Sequence, residues 1–413
     1  MNGGDEMAGR RATRVGATVL GVLAAVALLA AGAVGLVATG AATSAPETVR
    51  PGATSAARPT ESAGGSPHAA PPARTRTTGS PARLRVLGIT PANGASRVGA
   101  TARVTVRLSG KTARSTALPT VTPAVPGSWR GAGTATLTFT PSEPFVPLSS
   151  VTVRVPGGAR GVRGAGGSTL GAAVSSTYTV ENGSVLRIQQ LLALLDYSPL
   201  AFSATPGSPA ATDTAGQLAA AYAPPAGRFA WRTRSWPPSL LALWRPGVYS
   251  VMTRGLVMSF QADHGLDVNG QITAGLWNDM LDALATGVVN TGGYNFALAD
   301  KTPPETLTVW HDGTVVLRSR ANTGISQSPT ADGVFPVFAR YRNQVMKGTN
   351  PDGTKYADPV QFVAYFNGGD AVHYLARADY GIPQSLGCVE LPLAAAAKAW
   401  PYLAYGTLVD VIG

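Results

Sequence analysis

Pro383-Gln384-Ser385-Leu386-Gly387-Cys388-Val389-Glu390-Leu391 contains the only cysteine of a 413-residue chain. A lone thiol cannot close an intramolecular disulfide, so a structural bridge is excluded. Two readings remain. A free cysteine serves most often as a small buried hydrophobe. This one, however, follows Gly387, whose missing side chain permits a tight backbone approach, and His373 lies fifteen residues upstream across a loop containing Gly and Pro. A thiol and a histidine brought close by the fold make the minimal activated nucleophile. With an ordinary pKa of about 8.5, such a thiol needs a base or a positive neighbour to act at neutral pH.

Working outward, the length predicts two to four domains. Charged residues make up 13% of the chain and hydrophobic ones 45%, with 49 Gly and 32 Pro, which favours strands, turns and linkers over long surface helices. The expected fold class is therefore multidomain and mainly β. The net charge of +11 is spread along the chain and no Lys/Arg run reaches five residues, so nucleic acid is not the expected partner. An anionic envelope or membrane surface fits better. The four histidines are dispersed and there is one cysteine, so neither a metal site nor another cofactor is expected.

Residues 1–14 form a basic flank with Arg10, Arg11 and Arg14, and Val15–Ala42 is an uncharged apolar stretch. It is longer than the roughly 20 residues that span a bilayer and longer than a signal-peptide core. The expectation is an uncleaved single-pass anchor, with the arginines cytoplasmic and the bulk of the chain facing the cell wall. A signal cleaved near Ala38–Ala45, leaving a secreted protein, is the competing reading. Residues 43–82, rich in Ala, Pro, Thr and Ser, read as a disordered tether.

Period-two runs then begin: Arg83–Leu87, Ala102–Leu108, Thr134–Phe139 and Val151–Val155. They suggest an immunoglobulin-like sandwich over 83–181, with Trp129 in packing and no chemistry of its own. Ser184–Tyr197, Arg254–Leu266 and Ala274–Ala285 have helical spacing. With Phe260-Gln261, Gly265-Leu266, Asn269-Gly270, Thr273 and Trp277, the stretch 184–287 resembles a peptidoglycan-binding helical module interrupted by an insertion at 198–250. That resemblance implies glycan binding; the residues alone imply a three-helix core. His264 reads as a helix-end residue. The insertion carries Trp231, Trp236, Trp244, Arg232, Arg234 and Arg245, which either grip glycan or brace domains.

From Tyr294 strands return, with a hairpin turn at Asp312-Gly313 beside an exposed His311. Residues 290–413 resemble the L,D-transpeptidase catalytic domain. The resemblance rests on Pro329-Thr330-Ala331-Asp332-Gly333-Val334, His373, Ser385-Leu386-Gly387-Cys388 and the closing strand Gly406–Ile412. It implies a thiolate at Cys388, His373 as base, and Gly387 with Ser385 forming the oxyanion and loop motif. It also implies attack on the third residue of a peptidoglycan stem tetrapeptide, release of D-alanine and a 3→3 cross-link. Tyr356, Met346, Tyr374 and Glu390 are the expected substrate-binding residues, and the segment from Phe338 to Val360 the expected lid. The sequence departs from that family at Leu386, where the motif has a second histidine, at Glu390, where Arg or Asn is usual, and at Tyr374, where a small residue is usual. Leucine offers no proton chemistry. Trimming of D-alanine by water, and a non-catalytic wall-binding scaffold, are the alternative functions.

Overall fold

A computed structural model describes residues 83–413, which lie in one compact unit. The expected anchor and tether fall outside the described residues. Among the described residues no helix is long and apolar enough to cross a membrane.

Seven strands build the first domain: β1 (Val86–Thr90), β2 (Val104–Leu108), β3 (Thr120–Thr122), β4 (Gly127–Arg130), β5 (Thr136–Pro141), β6 (Ser150–Val155) and β7 (Val174–Thr179). They form sheets β1-β2-β5-β4 and β3-β6-β7, antiparallel throughout. Alternate residues Val104, Val106 and Leu108 meet Val151, Val153 and Val155 in one core, the packing of a two-sheet sandwich. Trp129 packs on Phe139 at 5.4 Å. The short β3 and β4 and the polar β7 escape the sequence reading, because three to six residues rich in Thr, Ser and Gly show little alternation of hydrophobicity.

The middle region contains α1 (Val185–Leu194), β8 (Leu200–Ala204), α2 (Thr214–Ala220), β9 (Gly227–Trp231), α3 (Pro238–Leu241), α4 (Val251–Asp263) and α5 (Ala274–Thr286). Side-chain hydroxyls of Ser250 and Thr273 cap α4 and α5. Residues 198–250 are part of the fold: β8 pairs with β9, and Leu200, Trp236 and Leu240 enter the same core as Ile188 and Phe260. Trp236, Trp244 and Arg232 of this insertion brace. Trp236 meets Tyr294 edge-on at 5.5 Å, Trp244 packs on Phe229 at 4.9 Å, and Arg232 caps α1 through Ala193 O and pairs with Asp196. Trp277 is fully buried and belongs to the core of this region. His264 stacks on Phe260 at the end of α4.

The last region holds β10 (Asn295–Asp300), β11 (Thr306–His311), β12 (Thr314–Arg320), β13 (Gly333–Pro336), β14 (Ala339–Thr349), β15 (Lys355–Asn367), β16 (Asp370–Tyr374), β17 (Val389–Leu391), α6 (Leu393–Ala399) and β18 (Leu408–Ile412). The β11–β12 turn has Asp312 and Gly313 at φ 46° and 79°, the double positive φ that an Asp-Gly hairpin turn requires. Sheet β12-β11-β10-β18-β13 faces sheet β14-β15-β16-β17. In the first sheet Ala297, Val309 and Val409 turn toward the second sheet, while Phe296, Trp310 and Leu408 turn into the helical core. Burial on both faces explains its near-continuous apolar strands. Against it, α4 approaches so closely that a Cβ on Gly255 would strike the Gly406 carbonyl, and Ser259 Oγ donates to Tyr405 O at 2.9 Å.

The stretch from Phe338 to Val360, expected as a lid, is mostly strand. β14 and β15 form one long antiparallel hairpin turning at residues 350–354, because the run from Ala339 to Asn367 is broken only by Asn350-Pro351-Asp352-Gly353.

Candidate active site

Two parallel strands bring the thiol and the imidazole to one face. β16 and β17 pair with Val372 opposite Val389 and His373 opposite Glu390. Side chains alternate along a strand, so Val372, Val389 and Leu391 enter the core, while His373, Cys388 and Glu390 line a cavity of about 630 Å³. The hairpin supplies the opposite wall with Met346, Tyr356, Asp358 and Val360. β15 bulges at Phe362, φ 56°, which turns Phe362 to the core and both Val360 and Val363 toward the cavity side.

The loop carrying Cys388 is held from three sides. Ser385 Oγ donates to the Cys388 carbonyl at 2.6 Å and accepts from Gly387 N at 3.2 Å. Asn322 and Glu390 exchange main-chain hydrogen bonds at 2.9 Å, and Gln384 N and Ser385 N both donate to Thr323 O. Thr323 is fixed in turn by the buried Glu305, which accepts from its N–H at 2.6 Å and its hydroxyl at 2.8 Å. From the Pro-Thr segment, Thr330 Oγ1 accepts from Gly324 N, and Ser328 Oγ donates to Leu386 O at 3.0 Å. Gly387 sits at φ 116° with the Asp370 carboxylate against it, so no side chain fits there. Ser385 is therefore a brace for the loop, and the Gly387 N–H, expected as an oxyanion donor, is directed at Ser385 Oγ in this state.

Burial pushes Cys388 up to about 12; the Ala371 N–H opposes the shift and the Asp370 and Glu390 carboxylates add to it. Its Sγ donates to Gly369 O at 3.7 Å. Burial also holds His373 below its ordinary value, against the opposing pull of the Tyr374 main chain and Glu390. Its Nδ1 is buried without a hydrogen-bond partner among the described residues. Desolvation thus disfavours the charged forms of both the thiol and the imidazole that share this cavity. Tyr356 and Tyr365, whose hydroxyls are pushed up first by burial and then by Cys388, complete the polar rim.

Of the residues singled out in the sequence, Cys388, His373, Met346, Tyr356, Glu390 and Leu386 meet in the cavity. Tyr374 does not. It neighbours His373 on a strand, so it points to the opposite face and packs on the core between the sheets. Glu390 lines the cavity as a buried carboxylate gripped by Arg377, whose Nε and Nη2 donate at 2.8 and 2.6 Å. That bond is also what raises Arg377 above its usual value. Arg377, Asp358, Asp370 and Tyr365 are cavity residues that the sequence reading missed. Alternation from Tyr356 would have found Asp358 and alternation from His373 would have found Arg377's side of the chain; the Arg377–Glu390 pairing arises only from tertiary structure. Among the described residues no His/Cys/Asp/Glu group suits a metal ion.

Residues 295–411 match the family model of the YkuD L,D-transpeptidase catalytic domain, and residues 81–181 that of a bacterial Ig-like domain. No curated protein matches the chain. Among solved structures, an L,D-transpeptidase from Mycobacterium smegmatis is 16% identical, covering 80% of this chain and 100% of that one, with a TM-score of 0.28. L,D-transpeptidase 3 from Mycobacterium tuberculosis is 14% identical over 79% of this chain and 98% of that one, TM-score 0.27. The catalytic domain of the E. faecium enzyme is 27% identical over 29% of this chain and 96% of that one, TM-score 0.27. The chain thus carries an L,D-transpeptidase catalytic domain of the YkuD family in its C-terminal region, behind a bacterial Ig-like domain.

Proposed function

We propose that this protein is a cell-wall L,D-transpeptidase that forms 3→3 peptidoglycan cross-links through a thioacyl intermediate on Cys388. The observation that carries the reading is the placement of one thiol and one imidazole on the same face of adjoining parallel strands, in a cavity large enough for a peptide. Cys388 Sγ attacks the carbonyl of the third stem residue as its proton passes to His373. His373 returns that proton to the departing amine of D-alanine, and the thioacyl bond remains. An amine from a second stem then attacks; its proton goes to His373 and on to the leaving sulfur. Because desolvation disfavours the charged forms of both groups, proton transfer accompanies attack and does not precede it.

His373 acts alone as the imidazole: Leu386, which also lines the cavity, adds only apolar surface and its carbonyl. Ser385 and Asn322 position the loop, and Met346 and Tyr356 frame the donor peptide. The helical region braces the catalytic sheet, and the Ig-like domain acts as a spacer.

The test is intact mass after incubating the full chain with a disaccharide tetrapeptide or a carbapenem, with Cys388→Ala in parallel. A Cys388-dependent adduct and a 3→3 dimer are expected. Absence of both would defeat the enzyme reading, and a trimmed monomer alone would replace the amine acceptor by water.

A further inference from the structure

The cavity contains two opposite charges that do not pair with each other. Arg377 spends its Nε and Nη2 on Glu390, with Gln384 O a further 3.5 Å from Nη2. A guanidinium has five N–H donors in a rigid fork, and Nη1 makes no hydrogen bond among the described residues. The Arg377 side chain is 31% exposed against 3% for Glu390. A buried carboxylate therefore fixes the fork from behind and leaves its outer edge to the cavity. On the hairpin wall, Asp358 stands opposite Met346 in the β14–β15 ladder and lines the same cavity. It makes no ion pair and accepts no side-chain hydrogen bond among the described residues, yet its charge is felt by both Arg377 and His373.

Building on the transpeptidase reading, we propose that Arg377 and Asp358 clamp the zwitterionic end of a diamino-acid side chain at the third position of the donor stem. The free α-carboxylate lies against Arg377 and the α-ammonium against Asp358. Glu390 is a positioning residue for Arg377.

Cys388, Arg377 and Asp358 line the same cavity of about 630 Å³. The far α-carbon of a 2,6-diaminodicarboxylic residue lies four C–C bonds from its backbone α-carbon, about 5 Å when extended. One such residue can therefore place its carbonyl at the thiol and its side-chain terminus elsewhere in the cavity that Arg377 and Asp358 line. A lysine-type residue lacks the carboxylate, and a carboxamide lacks its charge.

The test measures binding, which needs no thiol. The full chain bearing Cys388→Ala is titrated calorimetrically with a stem tetrapeptide containing diaminopimelate, and with the same peptide amidated at the side-chain α-carboxylate. The free carboxylate should bind roughly tenfold tighter, the scale of one charge-assisted hydrogen bond. Adding Arg377→Gln with Glu390→Gln, which leaves no buried charge behind, should erase that preference; Asp358→Asn should weaken both peptides. Equal affinities in the Cys388→Ala protein overturn the clamp whatever the other variants do, and so does a preference that survives the double substitution. A carbapenem adduct on the wild-type thiol reports separately on the enzyme reading.

Discussion

His373 stands directly opposite Glu390 in the parallel ladder between β16 and β17, and Arg377 closes on Glu390 with two nitrogens. The proposed base therefore shares its face of the sheet with a buried ion pair. Removing one partner leaves the other uncompensated, the costly way to break such a pair. Arg377→Ala should destabilise the protein by on the order of 3 kcal/mol, whereas Arg377→Gln with Glu390→Gln should lose distinctly less. Chemical denaturation of both variants checks this, and equal losses would mean that the pair is not coupled.

The pH profile of acylation follows from burial. His373 must be neutral to accept the thiol proton, and its pKa is held below the ordinary value. The rate should fall only as pH drops below the normal histidine range of about 6.5, later than an exposed imidazole would impose. Since Cys388 is pushed up to about 12, no second rise should occur near the ordinary thiol value of about 8.5. Carbapenem acylation followed by stopped flow from acid to mildly alkaline pH gives the curve. His373→Gln should slow the same step by about 10²–10⁴-fold.

Tyr356 lies across the hairpin over Gly348, and a Cβ at Gly348 would meet its ring. Gly348→Val should push that ring out of place on a partly exposed hairpin and leave the melting temperature nearly unchanged. If Tyr356 frames the donor, KM for the tetrapeptide rises while the carbapenem adduct still forms. Steady-state kinetics separates the two effects.

At Gly255 the neighbour is backbone. The Gly406 carbonyl cannot swing aside as a side chain does, so Gly255→Leu overpacks the contact between α4 and the β18 turn. A loss of roughly 1–3 kcal/mol is expected, read as a lower denaturation midpoint, and Gly255→Ala should give a smaller loss of the same sign.

What could be read in the sequence was local. The Asp312-Gly313 turn, the helical spacing of α4 and α5, and the Gly387-Cys388 loop each depend on residues adjacent in the chain. The strand pairing of β14 and β15 was not legible because the residues that line the cavity from this hairpin, Gln344, Met346, Lys347, Tyr356 and Asp358, mix polar and apolar side chains and show no clean alternation. Tyr374 was misplaced because neighbours on a strand face opposite ways. The Arg377–Glu390 pair was not legible because it forms through pairing between strands that the sequence separates by a loop. The insertion at 198–250 could not be placed because its Trp and Arg residues suit a sugar surface and a brace equally well until Trp236 is seen inside the core.

The double cover of the five-stranded sheet bears on where the chain can be divided. Phe296, Trp310 and Leu408 are sealed by helices that precede residue 295, the first residue of the matched catalytic family. A fragment starting there would present those three side chains to water on a bare sheet face, an invitation to self-association. The smallest portion able to fold independently should instead begin near Ser184, so that the transpeptidase region and its helices are made, kept and lost as one cooperative body.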